Sequence, residues 1–168
     1  MVVLDEAVRL AAPWHHLFDR SRPVEMATVG THVLAMLVAG GLAIAHDRGS
    51  LRASRFSELI RGHHLDELRA VHRPVIVALA VTMASGVALF ASDVTNYAFS
   101  PTFWIKLGLI ALLLANALMM QSSERTLSLS PAGGAAALAW SRIRVSSVVS
   151  MSLWASIVLI SIVLSLEK

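Results

Sequence analysis

Four uninterrupted apolar runs, each close to twenty residues long, constrain this chain more than any other feature. They cover residues 24–45, 75–92, 102–121 and 145–166. A helix that crosses the hydrocarbon core of a bilayer needs about 20 mostly apolar residues. None of the four alternates with the two-residue period of a barrel strand. Backbone polar groups in lipid must be satisfied within the segment, so each run reads as a helix. Composition argues against a soluble core: 56% of the 168 residues are hydrophobic and 15% charged, with a mean hydropathy of +0.68. A soluble domain carries about 25% charged residues. The expected fold is all-α, one integral membrane four-helix bundle over residues 1–168 with short interfacial helices.

Punctuation agrees with this division. Ser100-Pro101 and Ser130-Pro131 each pair a capping hydroxyl with a proline at the first helical position, and Pro23 stands similarly before the first run. Pro74 is approached by a helical pattern through Leu65, Leu68 and Val71, which predicts a kink or break ahead of the second span. Residues 4–18 and 56–71 have apolar positions near helical spacing but are too short to span. They read as interfacial helices, the first with Trp14 as a headgroup anchor.

Orientation follows from the arginines. Arg48, Arg52, Arg55, Arg61, Arg69 and Arg73 lie between spans one and two, and Arg125, Arg142 and Arg144 between spans three and four. The connection between spans two and three has no cation before Lys106. The positive-inside rule therefore predicts cytoplasmic arginine-rich connections and both termini outside. Residues 1–12 contain Asp5 and Glu6 and lack the basic start of a secretory signal, so the first span is expected to act as its own targeting signal. The net charge of +3 is explained by orientation and not by nucleic-acid binding, since the arginines form no single soluble face. The absence of cysteine excludes disulfides, thiolate metal sites and covalent haem attachment through this chain.

Polar residues inside a span are costly and each asks for an explanation. On a helical wheel Met36, Ala39, Ala43 and His46 all fall within about 40° of His32. The two histidines are about 21 Å apart in rise. Neutral imidazole is a good ligand for haem iron, and two histidines near opposite surfaces on one helix resemble the arrangement in membrane b-type cytochromes. His72, at the head of span two, is the partner available to His46; spans two to four offer none to His32. One haem b between His46 and His72 is therefore the cofactor expectation, set against the plainer reading of interfacial imidazoles contacting headgroups or loop carbonyls. Asp93 and Lys106 are expected at one surface, either as an ion pair or with Lys106 binding an anionic group. His63, His64 and Glu67 form the densest metal-capable cluster, with Asp66 beside them, although Gly62 and nearby arginines favour a solvated loop. Ala35, Ala39 and Ala43 make a small-residue ridge, and Ser147, Ser150, Trp154, Ser161 and Ser165 a second packing face.

The segments AGGLAIAHDRGSLR, HLDELRAVHRPV and SGVALFASDVTNYAFSPTFWIKLGLIALLLANALM, with a late SLW in span four, carry a resemblance that covers most of the chain. It resembles small bacterial four-span membrane proteins, including those like the copper-resistance D membrane domain. The resemblance implies a helical bundle of the bacterial inner membrane, with copper transport, haem binding or an accessory role in a respiratory assembly. The leading expectation is a non-enzymatic haem-binding electron-transfer subunit. The alternatives are a cofactor-free accessory or scaffold subunit, working with a membrane-protein partner or a second copy, and a copper or small-solute transporter using His32, Asp93 and Lys106. No nucleophile, base and oxyanion donor can be assembled from the spans, so catalysis is not expected.

Overall fold

In a computed structural model the chain is described over residues 2–53, 58–129 and 133–166, with side chains described over 4–53, 73–129 and 133–166. Six helices follow in order: α1 (Val2–Arg20), α2 (Arg22–Ala53), α3 (Glu58–Ser92), α4 (Val94–Phe99), α5 (Pro101–Leu129) and α6 (Gly134–Leu166). There is no strand among the described residues. Among the described residues four helices are long and apolar enough to cross a membrane: α2, α3 from Arg73 onward, α5 and α6. At 1.5 Å per residue the 32 residues of α2 extend about 48 Å. That exceeds the roughly 30 Å hydrocarbon core, so helix ends protrude from it.

The exposure pattern is that of a membrane protein. Leu34, Leu37, Val77, Leu112, Leu118 and Leu159 are well exposed, while Asp47, Ser50, Ser123, Ser146 and Ser147 are buried. Water would penalise that outward apolar surface. Lipid does not. Because lipid tails are as apolar as Leu, helix association rests on close packing and interhelical hydrogen bonds.

Two antiparallel hairpins, α2/α3 and α5/α6, join through a contact between α2 and α6. Ala39 is fully buried at this seam. A Cβ placed on Gly40 would stand 3.1 Å from Trp154 Cε3, so the missing side chain is what admits the indole. Among the described residues α3 and α5 share no extensive packing.

Two apolar clusters fill the interior. One joins Ala39, Ala78, Leu113, Trp154 and Ile157 at mid-span. The other joins Ala53, Met120, Leu127, Ala136, Ala139, Trp140 and Ile143 toward the arginine-rich end. At the opposite end, Phe90 stacks on Phe103 with centroids 5.3 Å apart and Tyr97 tilts against the same ring, tying α3, α4 and α5 together.

Several local readings meet the structure directly. Ser100 Oγ accepts from the backbone N–H of Phe103 at 3.2 Å, and α5 begins at Pro101. Ser130-Pro131 lies outside the described residues. At Pro74 no break forms, and α3 runs through it. Proline is tolerated in membrane helices because neighbouring groups re-satisfy the freed carbonyl. Trp14 is not confined to a headgroup role: its Nε1–H donates to Ala88 O at 2.8 Å, and the His15 ring bonds Ser92 O, fastening α1 to the end of α3.

Candidate functional site

Between the two apolar clusters lies a belt of polar side chains. It is built by the last turns of the membrane part of α2, the facing turns of α6, and α5. At 100° per residue, neighbouring positions on α2 point different ways. His46 reaches α5, where Nε2–H donates to Glu124 Oε1 at 3.1 Å, both side chains being largely buried. Asp47 is 2% exposed and sits beside Ser147 and Ser150 of α6. Arg48 points outward. Asn116 of α5 clamps α6 reciprocally: its Nδ2–H donates to Ser146 O at 3.0 Å, and Ser146 Oγ donates to Asn116 Oδ1 at 2.9 Å.

Beside this belt is a cleft of about 100 Å³. Ala43, His46 and Asp47 from α2, Val75 from α3, Asn116, Met120 and Glu124 from α5, and Ser150 from α6 line it. All four spanning helices thus contribute. A bound water occupies roughly 30 Å³ of liquid volume, so the cleft admits a few waters or a small ion. Pockets that enclose drug-sized ligands run to about 300–1,000 Å³.

Toward the arginine-poor end a second polar contact joins α2 to α3. The His32 ring lies against Gly86, where an added Cβ would come within 3.3 Å of its Cε1. Ser85 Oγ donates to Val81 O at 2.7 Å, which leaves its oxygen able to accept. His32 Nδ1–H therefore has two acceptors, Thr82 O at 3.1 Å and Ser85 Oγ at 3.0 Å. This fixes the tautomer and leaves Nε2 as an acceptor.

The sequence-derived sites are distributed as follows. The Asp93–Lys106 ion pair does not form. Asp93 instead caps α4, accepting from Asn96 N at 3.4 Å and from Asn96 Nδ2 at 2.7 Å. A short helix whose first N–H groups need an acceptor holds that carboxylate locally. Lys106 makes no ion pair among the described residues. His46 is met by Glu124. The side chain of His72 lies outside the described residues, as do those of His63, His64 and Glu67. Among the described residues no three His, Cys, Asp or Glu side chains gather as a metal site.

One nitrogen of His46 is engaged by Glu124, and the His72 side chain that would complete a haem site with it lies outside the described residues.

Sequence reasoning passed over Glu124 and Asp47. Glu124 carried a signal, being the single acidic residue between Asp93 and Glu167. Asp47 stands next to Arg48 at the end of the first apolar run, where charge is ordinary. Its i, i+3 relation to Ser50 placed both on a face near the alanine ridge.

Comparison with protein-family models, with characterised proteins and with solved structures finds no match for this chain. The likeness to copper-resistance D-like domains therefore rests on its sequence motifs alone.

Proposed function

We propose that this protein is a non-enzymatic transporter of the bacterial inner membrane that passes a small cation, the proton included, through a cleft lined by His46 and Glu124. The observation that carries this reading is the His46–Glu124 contact at 3.1 Å inside a membrane bundle, in the lining of a cleft to which all four spans contribute. Ionisable side chains within spans are rare and mark ion pathways and proton relays. A histidine–carboxylate pair both holds and transfers a proton. Oxygen donors around a single imidazole suit hard cations better than copper(I), which prefers thioether and thiolate.

Nine arginines flank the two connections at the cleft end, against Arg9, Arg20 and Arg22 at the other. This bias supports a cytoplasmic cleft and external termini.

The test is flux in proteoliposomes loaded with a pH-sensitive dye, under an imposed membrane potential. Wild-type protein should acidify or alkalinise the lumen faster than empty vesicles, and Glu124→Gln and His46→Ala should each slow it at least tenfold. Ser156→Ala, on the lipid face, serves as the control. Equal flux in wild type and Glu124→Gln sinks the reading. A reducible Soret band in purified protein, lost in both His46→Ala and His72→Ala, would replace it with the haem-binding one.

A further inference from the structure

Asp47 and Ser50, three residues apart on α2, share one face of that helix. Ser147 and Ser150, three apart on α6, stand opposite. Ser50 and Ser147 are fully buried, Asp47 is 2% and Ser150 7% exposed. Yet Asp47 Oδ2, Ser50 Oγ and Ser147 Oγ complete no hydrogen bond of good geometry, although the Ser150 and Ser147 hydroxyls stand within looser hydrogen-bonding reach of the carboxyl. Three unsatisfied polar atoms in one desolvated spot are unusual. Buried groups are paired in the great majority of cases, and each exception costs roughly 1–3 kcal/mol. Tight apolar packing lies on both sides, with Ala53 and Ile143 toward one end and Trp154 toward the other. Asp47 and Ser150 also line the cleft, so the spot has an entrance.

The geometry points to a binding site for a dehydrated sodium ion, held by the Asp47 carboxylate and the hydroxyls of Ser50, Ser147 and Ser150. All four donors are oxygens, as hard cations require. Glu124, the second carboxylate at the cleft, is engaged by His46, which leaves Asp47 to balance one positive charge; a calcium or magnesium site would draw more. The ion would satisfy the three orphaned atoms at once and bridge α2 to α6 at the seam that joins the two hairpins. This deepens the transport reading by supplying a coupling ion beside the cleft, but the binding itself stands or falls separately.

The experiment is thermal unfolding of the full-length protein in detergent, titrated with NaCl, LiCl or KCl against choline chloride at constant ionic strength. Sodium should raise Tm saturably, by roughly 5 °C or more well above its Kd, with potassium weaker. Asp47→Asn keeps the shape and removes the charge. It should abolish the sodium-dependent shift while remaining folded, with Tm in choline at or above that of wild type. Ser50→Ala removes a hydroxyl that is otherwise unsatisfied, so a purely structural role predicts unchanged or raised Tm and an unchanged sodium response. The sodium site predicts a half-saturation concentration raised at least tenfold. Equal Tm in sodium and choline, or a sodium response that survives Asp47→Asn, overturns the site. Sodium binding without vesicle flux would retain the site and discard the transport reading; flux without sodium binding would do the reverse.

Discussion

Asn116 and Ser146 illustrate what a single polar pair does in a setting where burying apolar surface gains little. Each bonds the other's side chain or backbone, at 3.0 and 2.9 Å. Interhelical hydrogen bonds in membranes are worth about 0.6 kcal/mol on average and up to about 1.7. Asn116→Leu strips several at once and leaves the Ser146 hydroxyl with a poorer partner. It should destabilise the protein by about 1–2 kcal/mol in an SDS-unfolding titration, whereas Ser146→Ala should cost less, about 1 kcal/mol. Gly86 acts by absence. Gly86→Leu must displace the His32 ring from Thr82 and Ser85, and should shift the His32 imidazole resonances in NMR while leaving the His46 signals in place. These assignments were only partly legible in the sequence. The wheel put His32 and His46 on one face, but which neighbour each meets depends on which helix is packed there: α3 for one, α5 for the other. Asp93 had an answer within four residues, in Asn96, that a search for distant charge partners overlooked.

At the level of elements, the α2–α6 seam is the joint on which the bundle depends. Trp154 lies flat enough against Gly40 that an added Cβ would meet the ring at 3.1–3.5 Å. Gly40→Leu wedges two long helices apart and should lower Tm sharply, with loss of the cleft geometry reported by slower vesicle flux. Trp154→Ala leaves a cavity beside Ala39 and Ile157. Cavity costs for aromatic-to-alanine changes reach about 3–5 kcal/mol in soluble cores; with the transfer term weakened by lipid, about 2–3 kcal/mol is expected in SDS unfolding. The alanine ridge and the serine stripe announced this seam by their spacing, since small residues at helical intervals permit close backbone approach. The stripe's far end behaves differently: Ser161 and Ser165 bond back to Ile157 O and Ile162 O of their own helix. The short α4 was not announced at all, because six residues are too few for a periodic pattern to show.

For the molecule as a whole, the lack of native cysteine makes topology directly testable. Single-cysteine variants Arg52→Cys and Asp5→Cys place thiols at exposed positions on opposite ends. In intact cells a membrane-impermeant maleimide should label Asp5→Cys and spare Arg52→Cys until the membrane is opened; the reverse pattern would turn the cleft outward. The number of crossing helices and the place of each apolar stretch were determined by the sequence alone, because a bilayer of fixed thickness converts a local property, the apolar run, directly into architecture. The helices themselves run on past those stretches, as α2, α5 and α6 do toward the arginine-rich end. Helix starts such as Ser100-Pro101 were equally local. Only the tertiary structure decided that the two hairpins meet through α2 and α6, that His46 finds a carboxylate, and that Asp47 turns inward to the serines of α6. Those outcomes depend on how helices rotate and approach one another. In lipid no strong hydrophobic difference between inside and outside writes that rotation into the pattern, so it is set by a few close contacts and hydrogen bonds between distant parts of the chain.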